Sequence, residues 1–319
     1  MIISLLLIII GIALLIKGAD LLVNSSSKIA KKFHISEIII GLTIVSIGTS
    51  MPELFVSFTS ATNNHSDISI GNVIGSNIAN LLLILGISSA IKSIPFKKET
   101  SFYEIPMCLF FTLIFLFFSN TSNIIDRNES IVLIILFLFF IAYTILMARR
   151  EIPKNTTKDE NKNEAILINI IYLIFGIIAL KFGSNLAVEN AVIIANYFNI
   201  SEKIIGITIL AIGTSLPELF TSVSAAIKGK TDIAIGNIIG SNIFNMLLII
   251  GVSAFLNPIE YNISYNYDFM LLIISTVLLS IFPFIPPKNE MSKMNGLVYL
   301  IIYIIYMGSL FFKWNYIDC

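Results

Sequence analysis

The sequence predicts an all-α polytopic membrane protein with ten transmembrane helices, built as two inverted five-helix repeats with broken helices at the membrane midplane. Three observations lead there. The chain has 319 residues, of which 56% are hydrophobic and 13% charged, with a mean hydropathy of +0.90. A soluble domain carries about 25% charged residues, so much of this apolar surface must face lipid or other apolar helices. The apolar residues gather into runs near the roughly 20 residues that a spanning helix needs. Finally, residues 36–90 align without a gap on residues 201–255, and 33 of the 55 pairs are identical.

Taken in order, the expected helix cores are 2–23, 36–60, 68–91, 104–119 and 130–148, then 166–189, 201–226, 233–256, 268–285 and 295–312. The first run lacks a charged leading segment and a small-residue cleavage site, and it is too long for a signal core. It reads as an uncleaved helix. One long polar stretch, 149–164 (RREIPKNTTKDENKNE), separates a first half, 1–148, from a second, 165–319. It reads as a hinge rather than a domain. At about 15 residues it holds no room for a soluble regulatory domain.

Basic residues set the orientation. With the N-terminus outside, the inside loops hold fifteen lysines and arginines and the outside loops three, Arg127, Lys203 and Lys313. The positive-inside rule then puts both termini outside and the linker in the cytoplasm of a multi-pass cell-membrane protein. Five spans separate equivalent repeat positions, so the second copy crosses in the opposite sense. That is the inverted repeat on which many secondary transporters build one midplane site with alternating access.

Composition also excludes functions. A formal net charge of zero offers no basic field for nucleic acid. Cys108 and Cys319 form no metal motif, and His34 and His65 fall in polar connections. No Gly-Lys-Ser/Thr loop serves a nucleotide-driven pump and no intramembrane histidine serves an enzyme, so the chain reads as neither. A channel is disfavoured by closed midplane carboxylates on paired broken helices. No organic cofactor and no protein partner are implied.

The duplicated motifs carry the chemistry. The first copy reads GLTIVSIGTSMPELFVS and ISIGNVIGSNIANLLLILG; the second reads GITILAIGTSLPELFTS and IAIGNIIGSNIFNMLLIIG. Pro52 and Pro217 lack an N–H, so the carbonyls of Gly48 and Gly213 lose their helical donors and the helix breaks. Irregular backbone at depth is tolerated where it lines a cavity. Beside each break stands one carboxylate, Glu53 or Glu218, which costs about 2.5–3.5 kcal/mol at the bilayer centre. Lys17 and Lys181 are not equivalent in the repeat and pair with neither. A cation, protons or both are the missing partner. Thr49, Ser50, Thr214 and Ser215 lie within a turn of the glutamates. Ser76 and Asn80, like Ser241 and Asn245, are four apart and share a helix face. These are hard oxygens, suited to Ca²⁺ or Na⁺ and less to Mg²⁺, which keeps its waters. Asn72, Asn77, Asn237 and Asn242 read equally as ligands or as interhelical hydrogen bonds. Gly71, Gly75, Gly236 and Gly240 suit close helix packing. Asp67 and Asp232 read as helix caps, and Asp20 and Glu189, near helix ends, receive no role.

Paired GTSxPE and GNxxGSNxxN segments in two five-helix halves resemble the alpha repeats of the sodium/calcium exchanger superfamily, the cation/calcium antiporters of prokaryotic type. The resemblance covers essentially the whole chain. It implies halves packed about a pseudo-two-fold axis with four ion sites at the midplane. It assigns Ca²⁺ to Glu53 and Glu218 with the backbone carbonyls of Thr49 and Thr214. It assigns Na⁺ to backbone oxygens of Ser46 and Ala211, hydroxyls of Ser50, Ser76, Ser215 and Ser241, and Asn80. Asn245 occupies the matching second-repeat position, where some prokaryotic members and the potassium-dependent branch carry Asp. Asn removes a third carboxylate there and bears on potassium dependence.

The resemblance further implies a secondary antiporter whose access switch slides the first helix of each half across the other eight. Two ionised glutamates with one Ca²⁺ form a neutral core, and with three Na⁺ a core of charge +1, so exchange would be electrogenic. The alternative is a Ca²⁺/H⁺ antiporter in which the same glutamates exchange protons.

Overall fold

The computed structural model describes residues 1–151, 166–198 and 211–315. They form an all-helical assembly: α1 (Ile2–Phe33), α2 (Glu37–Thr49), α3 (Met51–Thr62), α4 (Ser66–Ile91), α5 (Thr100–Thr121) and α6 (Arg127–Glu151). The second half continues with α7 (Ile166–Tyr197), α8 (Leu216–Ile227), α9 (Thr231–Leu256), α10 (Ile263–Phe284) and α11 (Lys293–Asn315). Among the described residues eight helices are long and apolar enough to cross a membrane, and α2 with α3 makes a ninth span bent by 49°. The expected span at 201–226 appears as a helical turn, Ala211–Gly213, followed by α8; its residues 201–210, like linker residues 152–164, lie outside the described residues.

Two helices form the centre. In the apolar stretches of α4 and α9, 72% and 83% of the residues are buried, against 17–39% in the other long helices. These two carry the GNxxGSNxxN motifs, which is why polar side chains sit in the middle of the bundle rather than in lipid. The α9 glycines serve packing, as their spacing suggests, whereas a β-carbon on Gly71 would first meet the Tyr265 side chain and one on Gly75 nothing within 4 Å among the described residues. A β-carbon on Gly236 would lie 2.6 Å from the Ile38 carbonyl oxygen, and one on Gly240 2.6 Å from that of Leu42.

Both 32-residue helices, α1 and α7, outrun their expected cores. In α1 the polar tail continues the helix because Ser25, Ser26, Ser27, Ile29 and Ala30 are buried while the lysines stay outside. The helix ends where His34 turns left-handed, φ 54°, its N–H meeting the Ala30 and Lys31 carbonyls. Asp20 and Glu189 therefore lie inside helices rather than near their ends. Asp20 pairs with Lys228 at 2.8 Å and accepts from the Ser224 hydroxyl at 2.9 Å. Asp67 and Asp232 are not caps either. The N-cap positions are His65 and Lys230, without side-chain cap bonds, and both aspartates sit in the first turn. There the helix dipole favours a negative charge, and Asp232 also pairs with Lys97 at 2.6 Å.

Helices α1 and α7 run antiparallel in close contact. A β-carbon on Gly11 would lie 2.7 Å from the Gly183 carbonyl oxygen, and one on Gly18 2.9 Å from that of Gly176. Gly11 and Gly176 are repeat-equivalent, as are Gly18 and Gly183, so the crossing uses the same residues twice with the halves exchanged.

Loops of the two halves meet at each end. Residues 94–95 pair with 290–291, Lys97 with Asp232, and Lys230 with Asn24. At the other end 124–125 pair with 259–260, and Asn257 bonds the Ala61 carbonyl. The lysine-rich loops thus share one face, the grouping that their charge suggests.

Candidate functional site

The site grows from the helix breaks. Pro52 and Pro217 stand in the first turn of α3 and α8, where the missing N–H is harmless to the new helix. They deprive the preceding segment of a donor. The chain turns at Ser50 (φ −84°, ψ 11°) and Ser215 (φ −87°, ψ 7°), nearly the same conformation in both halves. The carbonyl of Gly213 is met instead by the Ser184 hydroxyl of α7 at 2.8 Å. The equivalent position in the first half is Ala19, which has no such donor.

Each break delivers a glutamate to the first turn of a helix, where the dipole favours a carboxylate. Glu53 and Glu218 are both 0% exposed. Each is held by the opposite half: Ser50 donates to Glu218 Oε1 at 2.7 Å, and Ser215 donates to Glu53 Oε1 at 3.4 Å. Ser76 lies beside Glu53 and Ser241 beside Glu218.

A second pair of crossings flanks them. Thr49 donates to Asn237 Oδ1 at 3.1 Å, and Asn237 Nδ2 donates to Ser222 at 3.0 Å. In the mirrored set Thr214 donates to Asn72 Oδ1 at 3.5 Å, and Asn72 Nδ2 donates to Ser57 at 2.9 Å. Asn77 and Asn242 donate to each other's backbone carbonyls at 3.3 Å. Asn80 Nδ2 donates to Asn242 Oδ1 at 3.0 Å and Asn245 Nδ2 to Asn77 Oδ1 at 2.9 Å. All four unassigned asparagines are therefore engaged in interhelical hydrogen bonds, one of their two expected readings.

Among the side chains expected to be ligands, six buried oxygens are left without a hydrogen bond: Glu53 Oε2, Glu218 Oε2, the hydroxyls of Ser76 and Ser241, Asn80 Oδ1 and Asn245 Oδ1. They are three repeat-equivalent pairs; the buried hydroxyls of Ser88 and Ser253, eight residues further along α4 and α9, form a fourth. A buried acceptor without a donor is costly, and a cation within reach of these six would supply what the protein omits. Among the described residues no cluster of three or more acidic, histidine or cysteine side chains exists. Such a site would rest on two carboxylates and neutral oxygens, suited to weakly held hard cations.

The remaining expected residues are placed less directly. The Ser46 hydroxyl donates to Leu42 and Thr43 carbonyls, at 2.9 and 3.0 Å. Its own carbonyl accepts from Ser50 N at 3.0 Å, and the Thr49 hydroxyl, whose proton goes to the nearer Asn237 Oδ1, lies 3.3 Å from it. Ala211 begins the helical turn before Ser215. Sequence reasoning missed Ser57, Ser222 and Ser184. The signal for the first two was present, since they are equivalent in the repeat; Ser184 has no counterpart and left none.

Short π-helical turns mark the same region: Gly41–Val45, Ala79–Ile84 and Asn245–Ile249, the last two holding Asn80 and Asn245. Such turns gather at functional sites because they rotate side chains off the regular helical face.

A family model described as sodium/calcium exchanger protein matches residues 3–146 and 168–312. The inner membrane protein YrbG of Escherichia coli is 33% identical over 86% of this chain and 87% of its own length. The sodium/calcium exchanger MaX1 of Methanosarcina acetivorans is 32% identical over 97% of this chain and 99% of its own. Among solved structures, the sodium-calcium exchanger NCX_Mj soaked with 10 mM Na⁺ and no Ca²⁺ superposes with a TM-score of 0.85. It is 32% identical, covering 97% of this chain and 99% of that one.

Proposed function

From its place in the sodium/calcium exchanger family, a family of membrane transporters rather than enzymes to which this chain belongs, we propose that it is a secondary antiporter exchanging Na⁺ for Ca²⁺ by alternating access. The observation that carries this reading is the set of six bare oxygens on mirrored halves, two of them carboxylate. Ca²⁺ is held by Glu53 and Glu218 with the carbonyls of Thr49 and Thr214. Na⁺ uses Ser50, Ser76, Ser215, Ser241, Asn80 and Asn245 with the backbone oxygens of Ser46 and Ala211. Because the two ions share ligands, the site releases one on accepting the other, and that competition is the coupling.

The architecture proposed is ten spans in two inverted five-helix halves, 1–148 and 165–319, joined by the cytoplasmic linker 149–164, with both termini outside. The mirrored hydrogen bonds and the loop faces support it. Access switches as α1 and α7 slide over the rest; their glycine crossing supports a smooth contact between them. On the lysine-rich face α1 is tied to α8 through Asp20, Lys228 and Ser224.

The test is ⁴⁵Ca²⁺ flux in proteoliposomes with Na⁺, H⁺ and K⁺ gradients imposed separately. A Na⁺ gradient alone is expected to drive uptake. With three Na⁺ per Ca²⁺ one charge crosses per cycle, worth about 2.3 kcal/mol per 100 mV. A valinomycin-set potential is therefore expected to move the equilibrium Ca²⁺ ratio by about 50-fold per 100 mV. Uptake driven by H⁺ and indifferent to Na⁺ would replace this reading with cation/proton antiport on the same glutamates.

A further inference from the structure

We propose that Asn77 and Asn242 are positioning residues: each fixes the polarity of an asparagine in the opposite half, so that Asn245 and Asn80 turn their amide oxygens, never their NH₂ groups, toward the transported cations. The proposal rests on the exchanger reading for the identity of those cations, but not on which ion drives exchange.

An asparagine amide is nearly symmetric in shape and opposite in polarity at its two ends. Left to itself, Asn245 could present either end to the ion site, and the NH₂ end repels a cation. The structure removes the choice by a chain that begins at a group which cannot reverse. The backbone carbonyl of Asn242 only accepts, so it takes Asn77 Nδ2, at 3.3 Å. That forces Asn77 Oδ1 to the other side, where it accepts Asn245 Nδ2 at 2.9 Å. Asn245 Oδ1 is thereby left bare and buried. The mirrored chain starts at the Asn77 carbonyl. It takes Asn242 Nδ2 at 3.3 Å, and Asn242 Oδ1 accepts Asn80 Nδ2 at 3.0 Å, leaving Asn80 Oδ1 bare. Flipping either Asn77 or Asn242 would set donor against donor at one end and acceptor against acceptor at the other. All four side chains are at most 1% exposed, so no water is at hand to repair the mismatch.

The chain also explains what an amide does at 245 that a carboxylate could not. An ionised Asp has no proton to give Asn77 Oδ1, so the two oxygens would face each other across 2.9 Å. In this protein the paired asparagines make position 245 a neutral ligand of fixed direction.

The test uses Asn77→Ser and Asn242→Ser, which withdraw Oδ1 from its donor yet keep a hydroxyl near the opposite carbonyl. Purified full-length protein is titrated with ⁴⁵Ca²⁺, and bound ⁴⁵Ca²⁺ is then displaced with Na⁺. In each variant, either the Ca²⁺ dissociation constant or the half-displacing Na⁺ concentration is expected to rise about tenfold, and the thermal midpoint of the ion-free protein, lowered by the orphaned donor, checks that the variant is still folded at the assay temperature. The double variant Asn77→Ser/Asn245→Ala is expected to bind no more weakly than Asn245→Ala alone, because one residue acts through the other. Unchanged ion constants in both single variants, or losses that multiply in the double variant, would overturn the proposal. If wild-type protein binds Ca²⁺ but Na⁺ does not displace it, the exchanger reading fails while the Ca²⁺ constants still judge this one.

Discussion

Glu53 and Glu218 are gripped unequally by the opposite half, Ser50 reaching Glu218 at 2.7 Å and Ser215 reaching Glu53 only at 3.4 Å. A hydroxyl bond to a carboxylate is worth about 1.5–3 kcal/mol, and one near 3.5 Å is worth little of that. Ser50→Ala is therefore expected to weaken Ca²⁺ binding about tenfold and Ser215→Ala by less than about threefold, read by equilibrium ⁴⁵Ca²⁺ titration. Equal losses would mean that the hydroxyls act alike. The glutamates, hydroxyls and asparagines of the site were legible as repeated polar positions, since lipid-facing helices have no use for them. What the sequence could not supply was direction. Nothing in Asn-Ile-Ala-Asn tells that Asn77 reaches the far half while Asn80 leaves its oxygen bare, because that depends on a partner 165 residues away.

At the scale of elements, the broken helices were readable because proline's missing N–H has one local consequence wherever it stands. The π-helical turns of α4 and α9 were not, since no residue type marks one as proline marks a break, although both fall on the repeated Asn-x-Leu-Leu-Ile stretch. The extra length of α1 was missed for a related reason. Its polar tail is stabilised by burial of one stripe, which hydropathy averages away. The α1–α7 crossing is the element on which the proposed sliding depends. At Gly18 an added β-carbon would meet backbone of α7 at 2.9 Å, and backbone cannot step aside as a side chain can. Gly18→Ala is expected to slow Na⁺-dependent ⁴⁵Ca²⁺ exchange about tenfold while leaving Ca²⁺ affinity within about threefold. A variant that exchanges at the wild-type rate would show that this contact does not govern the slide. A variant that loses binding as well would place the damage in overpacking, which costs about 1–3 kcal/mol in a tight core.

For the whole molecule, the duplication does two things at once. It closes a polar centre inside an apolar bundle, because each half supplies the hydrogen-bond partners that the other lacks. It also leaves matching oxygens bare, because a donor placed on one would be placed on its twin. The proposed orientation within lipid rests on charge alone; the lysine contacts group the basic loops on one face without saying which side of the membrane that face meets. The central claim is that a cation completes the two lone carboxylates. Its most direct measurement is equilibrium ⁴⁵Ca²⁺ binding to purified wild-type, Glu53→Gln and Glu218→Gln protein at rising Na⁺. The account predicts saturable binding in wild type, displaced steeply by Na⁺, and at least a hundredfold weaker binding in each variant. Wild-type affinity in either variant would contradict it.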